Sequence, residues 1–235
     1  MTTVIETKDL YRSFGSDETQ VIALDHVTIE IEQGEFTAII GPSGSGKTTL
    51  LHLMGGLDEP DSGYVTLSDT NIAQMSGNEL SDFRRDHIGF IFQAYNLIPV
   101  LTAKENIEYI MLLQGIDPSE RRKRVNEMLA LVALEGLGDR RPAQLSGGQQ
   151  QRVAVARAMA SNPDIILADE PTANLDSENS HQILELMREL NHEYKAAVIF
   201  STHDEKVTRY IRREVRLEDG RVSWDKRRNG TEIET

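Results

Sequence analysis

The chain has 235 residues, of which 39% are hydrophobic and 27% are charged, and its formal net charge is -13. This length and apolar content suit one α/β domain with a real core, or one domain that carries a sizeable insert. The acidic charge argues against non-specific binding to nucleic acid, which needs a basic stripe, and against adsorption to an anionic lipid surface. Because cysteine is absent, disulfides and thiolate metal sites are excluded.

No segment has the composition of a targeting or membrane-spanning element. The N-terminal stretch MTTVIETKDL lacks an apolar signal core, and no apolar run approaches the ~18 residues of a membrane span. We therefore expect a cytoplasmic protein that reaches a membrane only through a partner.

The N-terminal segment is predicted to form a small antiparallel β unit. Residues 3–10 alternate loosely between apolar and polar, and residues 21–31 alternate more clearly, with a polar turn between them. Tyr11 and Phe14 precede that turn. An exposed aromatic ring near a nucleotide can stack on its base, but ordinary packing explains these residues equally well, and the local pattern leaves both open.

The strongest signal in the chain is a glycine-rich loop that ends in a lysine. Residues 41–48 match the pattern G-x-x-x-x-G-K-[ST]. Such glycines let backbone N–H groups surround phosphate oxygens, and the helix that follows adds its positive dipole end. Lys47 would reach the β- and γ-phosphates, and the Thr48 hydroxyl would ligate Mg²⁺. A Gly/Ser turn with a surface lysine is disfavoured because a strand, Phe36–Ile40, precedes the loop and a leucine-rich helix follows it.

Beyond the loop, several elements lead to a second polar position. We predict a helix over 47–54 that ends at two glycines, a strand over 64–69, and a short helix over 78–86 capped by Asn78. An apolar strand over 87–93 then ends on Gln93. A polar residue at the carboxyl end of a strand in an open α/β sheet points to the ligand crevice, which is weak evidence by itself.

Between about residues 94 and 160 helix formers replace β-branched residues, which predicts an inserted helical subdomain. Helices are expected over 102–113, over 118–134, and from Ser146, the N-cap of the third. Gly147 and Gly148 open this third helix, so it forms a second anion-binding helix start. One nucleotide does not need two such ends from one subunit, which is a first indication of a dimer.

A buried parallel strand over 165–168 ends in two acids. Asp169 suits Mg²⁺ binding through water, and Glu170 could polarise an attacking water. Either acid alone could instead cap a helix, but the upstream phosphate loop disfavours that interpretation.

A histidine follows the next predicted core strand. A helix over 177–194 leads into this strand, buried from Ala197 to Phe200, which ends at His203. A lone histidine is more often structural, but at this edge of the sheet its imidazole can meet a γ-phosphate or the attacking water. A hairpin around Asp219-Gly220 follows, and residues 225–235 are predicted to fray.

In this order, the segments resemble the ATP-binding-cassette (ABC) ATPases along nearly the whole chain. The matching motifs are GPSGSGKTT (41–49), the Q-loop glutamine Gln93, the signature motif LSGGQ (145–149), IILADE (165–170), the D-loop NLD (174–176) and the switch histidine His203. Within that superfamily the chain is similar to the branch of lipoprotein release, macrolide export and FtsE-type cell division, through stretches such as RRDHIGFIFQAYNLIPVLTAKENIE. Ala173-Asn174 in the D-loop departs slightly from the family's usual Gly-Ala or Ser-Ala.

The resemblance implies an α/β fold with a P-loop NTPase (RecA-like) core. This core has a mostly parallel sheet, an N-terminal antiparallel β subdomain and an inserted α-helical subdomain, within one domain of residues 1–235. Two identical subunits would pair head to tail, with each ATP between one phosphate loop and the partner's signature motif. An integral-membrane permease would be the further partner, on the inner face of the membrane, and no nucleic acid is expected.

The resemblance also implies roles for individual residues. Glu170 would activate water, His203 would hold the γ-phosphate and Lys47 would complete the catalytic set. Mg²⁺ would be held by Thr48, Gln93 and Asp169. In this branch the adenine-stacking aromatic falls at RSFG, which favours Phe14 over Tyr11. The implied ATP-binding residues are Phe14, Gly41, Ser43, Gly44, Ser45, Gly46, Lys47, Thr48, Thr49, Gln93, Ser146, Gly147, Gly148, Gln149 and Asp176, the last coupling the two sites.

The implied function is that of the ATPase subunit of a membrane complex for export, lipoprotein extraction or mechanotransmission. The alternative is a regulatory cell-division-type ATPase that controls a cell-wall hydrolase through a membrane partner. A cassette acting on nucleic acid or ribosomes is disfavoured by the single cassette and the charge of -13. A P-loop kinase is disfavoured because LSGGQ has no role there.

Overall fold

A computed structural model describes residues 2–16, 19–204 and 210–227. These residues form ten strands and six α-helices, which in chain order are β1 (Thr3–Phe14), β2 (Val21–Glu32), β3 (Phe36–Ile40), α1 (Lys47–Met54), β4 (Ser62–Leu67), β5 (Thr70–Asn71), α2 (Gly77–His87), β6 (Ile88–Ile91), α3 (Ala103–Leu113), α4 (Pro118–Leu131), α5 (Gly147–Ala160), β7 (Ile165–Ala168), α6 (Ser177–Tyr194), β8 (Ala197–Thr202), β9 (Arg213–Glu218) and β10 (Arg221–Arg227). Among the described helices, none is both long enough and apolar enough to cross a membrane.

A six-stranded, mostly parallel sheet forms the centre of the fold. Its order is β10-β9-β3-β8-β7-β6, and every neighbouring pair is parallel except β9 and β10. Every residue of β3, β7 and β8 is buried, as expected for parallel strands that are covered on both faces. The carboxyl ends of β3, β7 and β8 therefore meet at one edge, where ligands bind in open α/β sheets. The predicted α/β class with a mostly parallel sheet is confirmed.

The second sheet is antiparallel, as predicted for the N-terminal segment. Its order is β2-β1-β4-β5. Helix α1 lies between the two sheets because its apolar residues, among them Leu50 and Leu53, share one buried cluster with Ile5 of β1 and Ile199 of β8. This packing holds the glycine-rich loop at the amino end of α1 against both sheets.

Helices α3, α4 and α5 follow β6 and precede β7 in the chain. Their buried residues, among them Ile107, Met128 and Val153, form one cluster with Phe36 and Phe200 of the sheet. Helix α4 ends at Leu131 instead of the predicted residue 134. Ala133 adopts a left-handed conformation (φ 53°), which turns the chain so that the next residue packs in the core.

Two further predictions of local structure are wrong. Helix α2 is capped by Ser76, whose hydroxyl accepts the N–H of Glu79, and not by Asn78. The segment predicted to fray begins inside β10, which runs to Arg227. The carboxylate of Asp225 accepts two hydrogen bonds from the buried guanidinium of Arg213, at 2.9 and 2.6 Å, and this pair secures the strand. Residues 228–235 of the predicted tail lie outside the described residues.

Candidate functional site

The glycine-rich loop connects the carboxyl end of β3 to the amino end of α1. Gly46 has a φ of 100°, and a Cβ there would lie 2.2 Å from the carbonyl oxygen of Ala23. A Cβ on Gly41 would lie 2.1 Å from the carbonyl oxygen of Leu217. Only glycine allows the loop to run this close to neighbouring backbone. The loop is therefore held in place by the strands around it.

Lys47 begins α1 and is only 5% exposed. Its ammonium group donates to the carbonyl oxygens of Gly41, at 2.9 Å, and Pro42, at 2.8 Å. Burial lowers the pKa of Lys47, and the carboxylates of Glu170 and Asp169 oppose that shift. A cation is thus fixed inside the loop, where it can meet an anionic ligand.

The other residues of the loop divide between its surface and its interior. Ser43, Gly44 and Thr48 are exposed, whereas Ser45 is buried. The Ser45 hydroxyl has no hydrogen-bond partner among the described residues. The predicted phosphate-binding residues thus surround one short turn, with both backbone and hydroxyl groups available to a ligand.

The donor set beside the loop fits a magnesium ion. The Thr48 hydroxyl lies 3.0 Å from both carboxylate oxygens of Asp169, which follows β7 directly. Hydroxyl and carboxylate oxygens are the hard ligands that Mg²⁺ prefers. Among the described residues, no group of three or more His, Cys, Asp or Glu side chains is arranged to hold a metal ion. An ion held here would therefore take the rest of its shell from phosphate oxygens, water and the predicted Gln93.

Glu170 and His203 meet across the ends of β7 and β8. The Nδ1 atom of His203 lies 3.2 Å from Oε1 of Glu170. Both residues line an open cavity of about 290 Å³. Glu170 has a left-handed backbone (φ 42°), which is uncommon outside glycine. The fold brings together the two acids, the histidine and the loop, which are far apart in the sequence.

Ser201 joins these two acids, although no motif in the sequence indicates it. Its hydroxyl donates to Oδ1 of Asp169 at 2.6 Å and accepts the backbone N–H of Glu170 at 2.8 Å. The only signal in the sequence is a hydroxyl residue near the end of an apolar strand, which is weak because buried serines are common.

The signature motif lies at the start of α5. The Ser146 hydroxyl accepts the N–H of Gln149 at 3.3 Å, and the Gln149 side chain accepts the N–H of Ser146 at 2.9 Å. This capping box confirms Ser146 as the N-cap. Within the described residues, no hydrogen bond joins residues 146–149 to residues 41–49. In the part of the chain that the structure describes, the signature motif is therefore not hydrogen-bonded to the glycine-rich loop of the same chain.

The Q-loop and the D-loop contact each other. The side-chain amide of Asn174 donates to the carbonyl oxygen of the exposed Gln93 at 2.9 Å. Asp176 caps α6 by accepting the backbone N–H and the side-chain amide of Asn179, each at 2.8 Å. These bonds lower the pKa of Asp176. The departure at residue 174 thus provides a direct link between two of the predicted motifs.

Phe14 lies at the carboxyl end of β1 and is 46% exposed. The guanidinium carbon of Arg12 lies 4.8 Å from its ring centroid. The aromatic residue preferred for base stacking is therefore accessible to a ligand.

The fold and this site define a nucleotide-binding P-loop cassette, with its ligand edge at the carboxyl ends of parallel strands. Residues 24–173 match the profile of the family described as ABC transporter. The chain belongs to the ABC transporter family, as one of its ATP-binding cassettes.

Relatives and solved structures agree with this assignment. An ABC transporter ATP-binding protein of Thermotoga maritima is 47% identical over 231 residues, which is 97% of each chain. The macrolide export ATP-binding/permease protein MacB of Hyphomonas neptunium is 46% identical over 225 residues, covering 94% of this chain and 34% of that protein. A dimeric post-hydrolysis structure of the Methanocaldococcus jannaschii cassette MJ0796, bound to ADP and Pi, superposes with a TM-score of 0.89 at 43% identity, covering 97% of this chain and 100% of that one.

Proposed function

We propose that this chain is the ATP-hydrolysing subunit of a membrane ABC complex, and that it works as a homodimer. The observation that carries the proposal is the arrangement of Thr48, Asp169, Glu170 and His203 at one edge of the sheet, beside the glycine-rich loop. These residues supply a cation-binding pair, a general base and a group for the γ-phosphate in one place. Relatives that share the family also share nearly the full length of the chain.

ATP would bind along the loop with its base near Phe14. The backbone N–H groups of residues 43–49 would donate to the phosphate oxygens, and the ammonium of Lys47 would neutralise part of their charge. Thr48, Asp169 and Gln93 would hold Mg²⁺, which would offset the negative charge of the phosphates. We propose Phe14 for the base because its ring is exposed while the Tyr11 ring packs 5.8 Å from that of His26.

Hydrolysis would depend on the pair formed by Glu170 and His203. Glu170 accepts a proton from the attacking water, whose oxygen bonds to the γ-phosphorus as the bond to the β-phosphate oxygen breaks. His203 orients the Glu170 carboxylate and contacts the γ-phosphate. The products of this step are ADP and inorganic phosphate.

The signature motif would act on the ATP of a second copy. Ser146, Gly147 and Gly148 lie at a helix start that suits an anion. Among the described residues, this helix start makes no hydrogen bond to the loop of its own chain. Two copies paired head to tail bring each signature motif to the other's ATP, with Asp176 near the boundary. Because ATP contacts both copies only in the closed pair, its binding shifts the population toward the dimer. The dimeric structure of the M. jannaschii relative supports this arrangement.

A permease would convert the opening and closing of the dimer into work at the membrane. The MacB relative carries both an ATP-binding and a permease function by name, and this chain spans 34% of it. We propose export, lipoprotein extraction or mechanotransmission as the output. The permease would dock near Gln93 and the helical insert of residues 94–160, and so hold the chain at the inner face of the membrane. The alternative output is control of a cell-wall hydrolase by a cell-division-type complex.

The variant Glu170→Gln tests the enzymatic part of the proposal. It keeps the shape of the side chain but loses the base, so turnover should fall about 100-fold or more, whereas ATP binding persists and the dimer becomes stable. Phosphate release and light scattering with ATP and Mg²⁺ measure these two effects. The exposed Glu189 provides the matched control, because Glu189→Gln should leave both unchanged. Wild-type turnover in Glu170→Gln would show that Glu170 is not the base.

A further inference from the structure

Ser201 lies near the end of β8, in the middle of the parallel sheet, and is fully buried. Its hydroxyl sits between two consecutive residues of the neighbouring strand end. The Glu170 N–H can only donate, so the hydroxyl oxygen accepts that bond, at 2.8 Å. Its single proton is therefore directed to Oδ1 of Asp169, at 2.6 Å. The one proton that the Ser201 hydroxyl can donate is therefore used in a hydrogen bond to a carboxylate of the proposed site.

The backbone around Glu170 needs such support. A left-handed residue other than glycine persists only where its surroundings fix it, and Glu170 has a φ of 42°. Asp169 N–H donates to the carbonyl oxygen of Ile91 at 2.9 Å. The carbonyl oxygen of Pro171 accepts a bond from the buried side-chain amide of Gln151 at 2.6 Å. Residues 169 and 171 are thus each fixed by a hydrogen bond, and Ser201 provides the one at Glu170, which lies between them.

We propose that Ser201 is a positioning residue for both strand-end acids. Its hydroxyl sets the rotation of the Asp169 carboxylate, whose oxygens face Thr48. The same hydroxyl holds the Glu170 backbone so that its carboxylate faces His203. One side chain thereby couples the position of the proposed metal ligand to that of the proposed base. This inference rests on the proposed ATP hydrolysis, and it adds a residue that is fully buried, with no surface open to a ligand.

A buried hydroxyl in this sheet does not always form a hydrogen bond to the strand-end acids, as Thr37 shows. Thr37 lies on β3, pairs with Ile199 of β8 and is fully buried. Its hydroxyl has no hydrogen-bond partner among the described residues. Removing the Thr37 hydroxyl therefore disturbs the same sheet without touching the acids, which makes Thr37→Val a matched control for Ser201→Ala.

The experiment compares Ser201→Ala with Thr37→Val in three measurements. Displacement of one acid by about 1 Å can lower turnover about 100-fold, so we expect kcat of Ser201→Ala to fall about 10- to 100-fold while KM for ATP changes less than about 2-fold. Without Mg²⁺, Ser201→Ala should bind a fluorescent ATP analogue with unchanged affinity. When Mg²⁺ is titrated in, the concentration of Mg²⁺ needed for half-maximal effect should be several-fold higher than for the wild type. Thermal unfolding identifies any general loss of stability, and Thr37→Val should retain wild-type kcat and Mg²⁺ dependence.

A second pair of variants separates the hydroxyl from the size of the side chain. Ser201→Thr and Ser201→Val add nearly the same volume, and only the first keeps the hydroxyl. We expect Ser201→Thr to keep a kcat at least about 10-fold above that of Ser201→Val. This comparison remains decisive if Ser201→Ala does not fold.

The outcomes distinguish this inference from the proposed function. If Ser201→Ala matches Thr37→Val in kcat and Mg²⁺ dependence, or if the Thr and Val variants are equal, then Ser201 is ordinary core packing. That result would overturn the positioning role of Ser201. If Glu170→Gln is inactive in the same assay, the proposed function is still supported. If Glu170→Gln hydrolyses ATP at the wild-type rate, the assignment of Glu170 as the general base is refuted, whatever the Ser201 variants show.

Discussion

Tyr11 and Phe14 are three residues apart on β1, but their rings have very different surroundings. Tyr11 is partly buried, with its ring against that of His26. Phe14 is exposed, and one face of its ring lies against the Arg12 guanidinium. Hydrogen bonds from Arg12 to the carboxylates of Asp58 and Asp61 hold that guanidinium in place. A ring fixed on one face and open on the other is well placed to stack on a base.

The variant Phe14→Ala tests this at the scale of one residue. Stacking of one base on an aromatic ring contributes about 1–3 kcal/mol, so ATP should bind roughly 5- to 150-fold more weakly. Binding of inorganic triphosphate, which has no base, should not change, and Phe14→Tyr should resemble the wild type. Calorimetric titration of both ligands provides the measurement. Equal weakening for both ligands, or a larger loss in Tyr11→Ala, would contradict the assignment.

At the scale of elements, the helix starts near the site are capped in different ways. Helix α1 begins after Gly46, and no side chain among the described residues caps it, which leaves its first N–H groups available to phosphate. Helices α5 and α6 are capped by Ser146 and Asp176. A side-chain cap satisfies an N–H group that would otherwise need another partner. Ser146 therefore has a structural task within its own chain in addition to the proposed contact with the partner's ATP.

Two substitutions at Ser146 should separate these tasks. Ser146→Ala removes the cap and should lower the free energy of unfolding by about 1 kcal/mol. Ser146→Asp keeps a good cap, but it places a negative charge where the partner's γ-phosphate would bind. We expect Ser146→Asp to unfold at the wild-type temperature and to bind ATP as a monomer, without ATP-dependent dimerisation. Thermal scans and light scattering test this, and an ATP-dependent dimer of Ser146→Asp would refute the contact in trans.

At the scale of the whole molecule, one chain carries both the glycine-rich loop and the signature motif, and no hydrogen bond within the described ranges joins the two. The glycine-rich loop lies at the end of β3, and the signature motif opens α5 in the helical segment. Tyr95 and Asn96, which follow the Q-loop, have left-handed backbones, and their carbonyl oxygens accept bonds from Arg157 of α5 at 2.9 and 2.5 Å. The Q-loop is thus tied to the helix that carries the signature motif. A partner that moves one of them would move the other.

A pull-down tests the membrane partner. Tagged Glu170→Gln is isolated from detergent-solubilised native membranes with ATP and Mg²⁺, and its partners are identified by mass spectrometry. We expect a polytopic permease with a large extracytoplasmic domain, because the trapped dimer keeps its complex assembled. Lys47→Ala, which loses the phosphate-binding cation, should recover less of it. Recovery of only the homodimer, or of ribosomes, would overturn the proposed membrane role.

Local sequence determined much of this protein. The glycine-rich loop, the buried strand over residues 165–168, the Ser146 cap and the bounds of α6 follow from turn residues, caps and hydrophobic period, which act over a few neighbouring residues. The cap of α2 was predicted wrongly because two candidates, Ser76 and Asn78, lie close together. Ser76 caps the helix since it forms a capping box with Glu79, which Asn78 cannot.

Tertiary structure alone decided where distant residues meet. The tail prediction failed for residues 225–227 because Arg213, on the paired strand, binds Asp225. Ser201 gained its place between Asp169 and Glu170 only when β8 aligned beside β7. Asn174 likewise meets Gln93 through a contact 81 residues apart in the chain. Such contacts depend on the register of the sheet and on packing between elements, which no local pattern of residues specifies.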